Sequence, residues 1–483
     1  MMRSIDCEFV LHDANAGVAR NRSIRLDGER IVAIDGCDTG ACRAIFALPA
    51  LVNAHDHART VRSSSFGAAA KPLEIWLHYM AMLPPVDAYV GAAVSLARSA
   101  LGGVGTVMVH YTRVQGLTDL VTEVAQVARA ARDVGVRVGF AVALRDINPL
   151  VYGPSEPVLA ALPSGVRAEV EKRFCGPPLP VHELMARVDA IAAACDRPDF
   201  NVQYGPAGVQ WCSPELLRAV ADASARTGRR VHMHLLETRY QRAWADANYA
   251  QGIVTYLDEI GLLSPRLTLA HCTWARTAEL ELIAARGATI AVNTSSNLGI
   301  RSGIAPVAAM VRAGCRVALG LDGLALDEDD DALRELRLAG LLHGGTGFSI
   351  DVDRSALLAM AFANGRRAVL NSDDGGALVP GNPADVLVLD WDRIDDDRLV
   401  PDLDPCDLLF SRAAAQHIDE LIVAGKSIVR RGQVPGIDLP ALKSELMDRL
   451  RAGIAQNATL PATLSTLAHH VAASFDPSRA CCW

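Results

Sequence analysis

Histidines recur in this sequence in a spacing that suits a metal ion. His55 and His57 stand two residues apart, and His232 and His234 repeat that spacing. Side chains at positions i and i+2 lie on the same face of a β-strand, so His55 and His57 can bind one ion together. A single pair of this kind is weak evidence on its own, because the motif is short.

Three more residues extend the pattern. Glu237 follows His234 by three residues, and His271 and Asp322 each come at the end of a short apolar run. Taken alone, His271 fits a hydrogen-bonded core histidine, and Asp322 fits a helix N-cap. Taken together, imidazole nitrogens and a carboxylate oxygen are the ligands that first-row divalent ions prefer. The sequence therefore predicts a metal site if the fold brings these segments together.

The residues in question lie at the ends of predicted strands. Eight short apolar or β-branched runs alternate with amphipathic helices such as Pro214–Thr227. The predicted strands are Ala47–Asn53, Gly105–His110, Arg137–Leu144, Phe200–Tyr204, Arg230–Leu235, Leu267–His271, Ala288–Asn293 and Arg316–Leu321. Eight such repeats predict an α/β fold with a closed (β/α)8 barrel, whose functional residues gather at the C-terminal ends of the strands. A doubly wound open sheet is the alternative, but no Gly-rich phosphate loop follows the first strand.

The two ends of the chain have a different texture, with short strands and many turns. We therefore predict a small β-sandwich domain built from residues 1–46 and 372–436, a metal-dependent barrel over residues 47–371, and a helical C-terminal tail over residues 437–483. The proline-rich stretch 148–180 is long for a connection between a strand and a helix. It predicts a lid or an oligomer contact.

Composition excludes several classes of protein. The chain has 483 residues, of which 50% are hydrophobic and 21% are charged, which is typical of a globular protein with a large core. A net charge of −8 without a basic block argues against nucleic acid as a partner. No run of about 18 uncharged apolar residues is present, so we predict no membrane span.

The compartment is predicted from the N-terminus and the cysteines. Acidic residues stand where a signal peptide needs an apolar core, which favours the cytoplasm. The 11 cysteines are an odd number without C-x-x-C spacing, so we expect reduced thiols. Cys481 and Cys482 belong to a terminus that we expect to be frayed.

Six segments resemble the amidohydrolase superfamily, in the branch of cytosine-deaminase-like, adenosine-derivative and s-triazine aminohydrolases. They occur in the order that the family has, and each contributes several matching residues. The segments are LPALVNAHDH at 48–57, HMHLLET at 232–238, LAHC at 269–272, SNLGIRSGIAP at 296–306, LGLDG at 319–323 and VPGNPADV at 379–386.

The resemblance implies a site and an activity. His55, His57, His234 and Asp322 would bind one divalent metal, with Zn²⁺ as the first choice and Fe²⁺ as the alternative. Glu237, His271 and Asp322 would be catalytic. A bound divalent metal lowers the pKa of water to about 7, so that the resulting hydroxide attacks an amino-substituted ring carbon while Glu237 protonates a ring nitrogen.

The expected reaction is therefore the release of ammonia from a purine, pyrimidine, pterin or triazine. Two other hypotheses stay open. The same site would hydrolyse an amide, a cyclic urea, an N-alkylamine or a halide in one of them. In the other, the chain is a non-catalytic scaffold on this fold.

A single metal is expected because of a missing lysine. Some members of the superfamily bridge two metals with a carboxylated lysine at the end of the fourth strand, where this chain has Asn201–Pro206. Its only lysines, which are Lys71, Lys172, Lys426 and Lys443, lie elsewhere in the pattern.

Substrate recognition is predicted from position alone. Trp76 follows the first strand, His110 and Tyr111 follow the second, and Arg145 follows the third, so all four are placed to face a small heterocyclic ligand. Arg145 would suit an anionic substituent on that ligand. A homo-oligomer, most simply a dimer, is expected.

Three neighbouring features have structural interpretations. We expect His232 to lie one layer deeper than His234, packed or supporting a ligand. Cys272 fits the core. The acidic run Asp327–Asp331 fits a solvated helix start, where carboxylates favour the helix dipole.

Overall fold

The structure, a computed structural model, describes residues 2–38, 40, 42–400 and 402–475. Cys481 and Cys482 lie outside the described residues. The strands are β1 (Met2–Leu11), β2 (Val18–Asp27), β3 (Arg30–Gly36), β4 (Arg43–Pro49), β5 (Leu51–Asp56), β6 (Val104–Tyr111), β7 (Arg137–Leu144), β8 (Phe200–Pro206), β9 (Val231–Leu235), β10 (Leu267–His271), β11 (Thr289–Val292), β12 (Arg316–Leu319), β13 (Val386–Asp390), β14 (Ile418–Val423) and β15 (Lys426–Arg430).

Helices cover the connections between these strands. They are α1 (Leu73–Tyr79), α2 (Ala88–Leu101), α3 (Leu120–Val134), α4 (Glu156–Ala161), α5 (Ser164–Phe174), α6 (Val181–Cys195), α7 (Pro214–Thr227), α8 (Arg239–Asn248), α9 (Ile253–Glu259), α10 (Thr277–Ala285), α11 (Thr294–Gly299), α12 (Val307–Arg312), α13 (Leu324–Asp327), α14 (Ala332–His343), α15 (Arg354–Ala361), α16 (Ala363–Leu370), α17 (Pro405–Arg412), α18 (Leu439–Ala455) and α19 (Leu460–Ser474).

The strands β5 to β12 form one sheet in sequence order, and each neighbouring pair is parallel. Parallel neighbours require crossover connections, which the helices between them provide. The backbone N–H of Asp322, just after β12, donates to the carbonyl of His55 on β5 at 2.8 Å. This bond joins the last strand to the first, and the predicted (β/α)8 barrel is confirmed.

A second sheet combines both ends of the chain. Its seven strands run in the order β15-β14-β13-β4-β1-β2-β3, as the composite small domain predicted. One face of this sheet packs its own core around Ile24 and Val386, and the other presents Phe9 and Phe46 to the large core that includes the barrel. The rings of Phe9 and Trp391 lie 5.0 Å apart there. The small sheet therefore packs on the barrel through an aromatic layer.

One predicted strand is two strands in the structure. Residues 47–53 were expected to form a single element, but β4 ends at Pro49 in the small sheet and β5 begins at Leu51 in the barrel. Every residue from 45 to 56 is buried, so the apolar pattern does not show where β4 ends and β5 begins. The residue limits of the three predicted parts stay a prediction.

The proline-rich stretch 148–180 folds into α4 and α5 at the mouth of the barrel. The C-terminal helix α19 packs on α1, α4 and α5. At its end, the ring of Phe475 lies 5.3 Å from Tyr152 and 5.0 Å from Tyr240. The tail thus braces the connection that covers the barrel mouth.

The expectation of fully reduced thiols is wrong at one place. Cys37 and Cys42, on the loop between β3 and β4, form a disulfide. Their separation of only five residues brings the two sulfurs together within one turn of chain. The other seven described cysteines are free. Among the described residues, no helix has the length and apolar character needed to cross a membrane.

The acidic run 327–331 is only partly the solvated helix start that the sequence predicted. Asp331 caps α14 as expected, accepting from the backbone of Leu333 and Arg334. Asp327 and Asp330, however, are buried, because the chain folds back and the N–H groups of residues 329 and 330 donate to Asp327. Burial raises the pKa of Asp327 to about 8 and that of Asp330 well above its usual value.

Candidate active site

The strand ends bring the predicted metal ligands together. His55 lies on β5 and His57 directly after it, His234 lies on β9, and Asp322 follows β12. The Nε2 atoms of His57 and His55 lie 3.2 and 3.5 Å from Asp322 Oδ1. His234 Nε2 lies 3.3 Å from His57 Nε2. The residues His55, His57 and Asp322 are buried and His234 is partly buried, so the fold gathers one compact donor set.

Hydrogen bonds to the far ring nitrogens determine which nitrogen each histidine presents. His57 Nδ1 donates to the His110 carbonyl at 2.7 Å, and His234 Nδ1 donates to the Ala207 carbonyl at 2.7 Å. A ring that donates from Nδ1 keeps the Nε2 lone pair free. On the other side of His55, Nδ1 lies 3.3 Å from Nε2 of the buried His232, which fits the expected packed or supporting role of His232.

The backbone is unusual where the site residues leave their strands. Leu236, His271 and Asp322 have φ of 49°, 74° and 65°, which non-glycine residues seldom adopt. Gly320 is required for close packing, since a Cβ there would lie 2.1 Å from Asn293 Oδ1. Such strained positions cluster where a fold must aim side chains at one point.

Asp322 is held as a carboxylate. Burial alone would raise its pKa, but the adjacent His55 and His57 rings and the charge of Arg59 outweigh burial and keep the pKa well below the usual value. Arg59 also donates to the Asp322 carbonyl at 2.7 Å. On the opposite side, Ser296 Oγ donates to Oδ2 at 2.7 Å.

Two further groups face the same point. His271 Nδ1 donates to Asn297 Oδ1 at 2.9 Å, so its Nε2 is free. That Nε2 lies 3.7 Å from Glu237 Oε2 and 3.9 Å from Asp322 Oδ2. Burial, with the nearby charges of Asp322 and Glu74, raises the pKa of Glu237 well above its usual value. This shift favours the protonated form of Glu237, which lies beside an imidazole whose own pKa burial lowers to about 4.

The donor set fits a divalent metal. His55 Nε2 and His271 Nε2 are buried and have no hydrogen-bond partner in the described part of the chain. Buried polar atoms are normally satisfied, so these two call for a ligand. Burial lowers the pKa of His57 and of His234 well below the usual value, which keeps both rings in the neutral form that binds metal. Ligand atoms of His55, His57 and Asp322 lie within 4.8 Å of one another.

Removing the hydrogen bond from Ser296 tests how Asp322 is supported. We expect Ser296→Ala to lower metal affinity or turnover about 10–100-fold, because a ligand that loses its outer partner is held less well. Metal titration and kcat/KM measure the two effects. Ser295→Ala is the matched control, since Ser295 Oγ has no hydrogen-bond partner in the described residues, and it should behave as the unchanged protein. Equal losses in both variants would contradict the role of Ser296.

A cavity of about 410 Å³ opens above these groups. Its floor is polar and its walls are largely apolar and aromatic, with arginines at several points. The floor consists of His57, His234, Glu237, His271 and Asp322, and the walls include Leu73, Trp76, Leu83, Phe174, Trp211, Arg59, Arg113 and Arg145. This size and lining suit a small planar molecule with an apolar substituent.

The four predicted substrate residues divide into two pairs. Trp76 and Arg145 line the cavity. His110 instead lies beneath His234, with ring centroids 4.8 Å apart, and Tyr111 donates its hydroxyl to Glu123 at 2.8 Å, away from the cavity. Alternate residues of a strand point to opposite sides, which places Tyr111 against the helix layer. The prediction that His110 and Tyr111 contact the substrate directly is therefore wrong.

Several residues around the site were not predicted from the sequence. Thr238 and Tyr152 both donate to Glu74 Oε1, at 2.5 and 2.9 Å, and so join α1, the connection before α4 and the end of β9. Trp211 lines the cavity, but it lies five residues after β8 on a turn that no motif marks. Of these residues, Arg59 could most easily have been noticed in the sequence, because it stands two residues after His57.

The (β/α)8 barrel with this histidine and aspartate cluster at its C-terminal mouth is the architecture of metal-dependent hydrolases. The sequence profile of the amidohydrolase family matches residues 46–428, and the chain belongs to that family. The resemblance stated from the six segments is thus confirmed.

The chain is also similar to individual proteins, one of them by sequence and two by structure. The chain is 28% identical to a 5-methylthioadenosine/S-adenosylhomocysteine deaminase of Pelotomaculum thermopropionicum, over 90% of this chain and 94% of the relative. In structure it resembles a zinc-bound adenosine deaminase from Xanthomonas campestris, with a TM-score of 0.76 and 23% identity over 93% and 98% of the two chains. It also resembles a zinc complex of atrazine chlorohydrolase from Arthrobacter aurescens, with a TM-score of 0.73 and 23% identity over 92% and 99%.

Proposed function

We propose that this protein deaminates an adenosine-type nucleoside by hydrolysis and releases ammonia. The observation that carries the proposal is the position of Glu237, an acid whose pKa burial raises, beside the histidine and aspartate donors on the floor of the 410 Å³ cavity. The names of the curated relatives, which are deaminases of adenosine derivatives, support the purine as the ring.

His55, His57, His234 and Asp322 would hold one divalent ion, most simply zinc. Such an ion, when bound, supplies a water of lowered pKa beside the substrate. The remaining chemistry belongs to this chain. Glu237, whose raised pKa favours the protonated form, can pass a proton to a ring nitrogen, which makes the amino-bearing carbon more electrophilic.

Proton acceptors lie on the other side of the same point. Asp322 is an ionised carboxylate, and His271 presents a free Nε2 3.9 Å from Asp322 Oδ2. Between them they can take the proton of the attacking water and return it to the departing amine as ammonia. Trp76 and Trp211 would flank the substrate and keep bulk water out of the cavity.

The activity is tested by ammonia release from the zinc-reconstituted protein. Adenosine, 5-methylthioadenosine, 5′-deoxyadenosine and S-adenosylhomocysteine form the expected group, with cytosine and an aminated triazine as comparisons. Ammonia from a purine nucleoside supports the proposal. Loss of substrate without ammonia would instead favour an amide, cyclic urea, alkylamine or halide bond. No turnover with full metal content would favour a scaffold.

Arg145 is proposed to recognise an anionic group at the far end of the substrate. Its side chain lines the cavity and forms no hydrogen bond or ion pair with the described residues. Arg145→Gln should raise the KM for S-adenosylhomocysteine, which carries a carboxylate, by about 10–100-fold, because a charged hydrogen bond contributes about 1.5–3 kcal/mol. The uncharged 5-methylthioadenosine is the internal control, and its KM should stay within about twofold. An equal rise for both substrates would contradict this role.

We further propose a homodimer. The residues from 338 to 350 carry no formal charge, and Leu341, Phe348 and Ile350 there are 78%, 109% and 78% exposed. A face without charge is self-complementary across a two-fold axis, since no like charges meet. A solution mass of two chains by sedimentation supports it, and one chain contradicts it. A cytoplasmic location stays a prediction.

A further inference from the structure

The end of the barrel opposite the active site carries a cluster of arginines. Arg230 and Arg266 directly precede β9 and β10, and Arg316 begins β12. Arg367 on α16 lies close enough to affect Arg230 as well. Burial, followed by the charges of Arg316, Arg367 and Arg266, lowers the pKa of Arg230 to about 10. At neutral pH Arg230 therefore remains charged.

Carboxylates balance only part of this charge. Arg230 is 3% exposed, and its guanidinium donates only to neutral oxygens, including the Ala368 carbonyl at 3.1 Å and Asn371 Oδ1 at 3.0 Å. Arg230, Arg266 and Arg316 form no ion pair within the described residues. Arg367 does pair with Asp373, which is mostly exposed. A buried cation without a counter-ion is costly, so the cluster suits an anion from solution.

A cavity of about 250 Å³ lies beside Arg230 at this end of the barrel. We call it the N-terminal cavity. It is lined by Asp196, Asn201, Thr227, Gly228, Arg229, Arg230, Leu370 and Asn371.

The side-chain oxygens in the wall of the N-terminal cavity are already occupied. Asp196 accepts from Val202 N and from Arg229, at 3.0 and 2.9 Å. Asn201 Oδ1 accepts from Gln203, and Thr227 Oγ1 accepts from Arg229 N. Asn371 Oδ1 accepts from Arg230.

The polar side-chain groups that remain available in this wall are hydrogen-bond donors. Once their oxygens are occupied, Asn201 and Asn371 have only their amide Nδ2 groups left to offer. Arg229 Nε is buried and has no hydrogen-bond partner in the described residues. A wall whose free polar groups are donors, beside a guanidinium without a counter-ion, is complementary to an oxyanion.

We propose that the N-terminal cavity binds a phosphate group, as inorganic phosphate, pyrophosphate or the phosphate of an ester. A tetrahedral oxyanion offers acceptors in several directions, which matches donors from β8, from the turn before β9 and from the end of α16. Arg230 supplies the charge, and Arg229, Asn201 and Asn371 supply directed hydrogen bonds. The ligand stabilises the barrel from the end opposite the catalytic groups.

Thermal unfolding of the zinc-loaded protein tests the proposal. Phosphate, pyrophosphate and glycerol phosphate are titrated at constant ionic strength, with chloride as the reference. A ligand that binds the folded state alone raises the midpoint with its concentration. We expect at least one of the three phosphates to raise the midpoint of thermal unfolding, whereas chloride should not. The phosphate compound that raises it distinguishes a free ion from an ester as the ligand.

Asn371→Asp is the diagnostic variant. It keeps the shape of the side chain and tolerates the φ of 54° at this position, but it places a carboxylate beside Arg230. We expect the half-saturating concentration to rise at least tenfold, and Asn201→Asp should act in the same direction should the first variant fold poorly. Asn248→Asp, on the exposed end of α8, adds the same charge elsewhere and should bind as the unchanged protein.

Three results would overturn the proposal. The first is no stabilisation by any of the three phosphates beyond that of chloride. The second is unchanged binding in Asn371→Asp and Asn201→Asp, which would point to the metal centre as the place of binding. The third is an equal loss in Asn248→Asp, which would mean that net charge alone governs the effect.

Discussion

Glu237→Gln is expected to keep its metal and lose about 10²–10⁴ of kcat, the usual contribution of a general acid or base. The amide has nearly the same shape as the carboxyl group but cannot deliver a proton, whereas burial raises the pKa of Glu237 and favours its protonated form. Because Glu237 is not among the proposed ligands, the metal content should equal that of the unchanged protein. Metal analysis and steady-state kinetics on the same preparation measure both quantities.

A buried glutamate outside the cavity gives a matched control for this variant. Glu335 on α14 is fully buried, its pKa is raised by burial, and it accepts from the backbone of Ser295 at 3.0 Å. Glu335→Gln should therefore keep kcat within about threefold, although it makes the same chemical change in a similar environment. Loss of metal in Glu237→Gln would contradict the assignment, since it would make Glu237 a ligand and not a proton donor.

The strand ends explain why the centre of this site was predictable from the sequence. Each proposed ligand follows a short apolar run, and the barrel places the C-terminal ends of such runs around one axis. The predicted limits of β7 and β10 agree with the structure to the residue, because Arg137 and Leu267 begin runs that Gly135 and Pro265 separate from the preceding elements. Local sequence therefore determined both the elements and the residues at their ends.

Other features depend on contacts between distant segments, which local patterns do not record. Ser296 and Asn297 support Asp322 and His271 only because α11 turns back beneath the strand ends. The sequence predicts that Asp330 is exposed to solvent, because its neighbours in sequence are acidic, but in the structure it is buried. Tyr111 does lie at the end of its strand, as predicted, but its side chain points to the face of the strand that lies away from the cavity. Such errors arise where one residue of register or one returning loop decides the environment.

Asp322→Asn should lower metal affinity more than about 100-fold, beyond the 10–100-fold expected for a group that only supports a ligand. Asn keeps the size and one oxygen of Asp322 but removes the negative charge that balances a divalent ion among neutral histidines. The same variant loses a proposed proton acceptor, so turnover should fall even at saturating zinc. Metal titration followed by kcat at saturation separates these two consequences.

A second effect of Asp322→Asn needs its own control. Arg59, whose side chain is only 10% exposed, pairs with Asp322 and would be left without its carboxylate, which lowers the stability of the metal-free protein. The folded fraction must therefore be measured before affinity is compared. Asp330→Asn is the matched variant, since Asp330 is buried with both oxygens unpartnered in the described residues and burial raises its pKa well above the usual value. It should retain full metal binding, and full metal binding by Asp322→Asn as well would rule out Asp322 as a ligand.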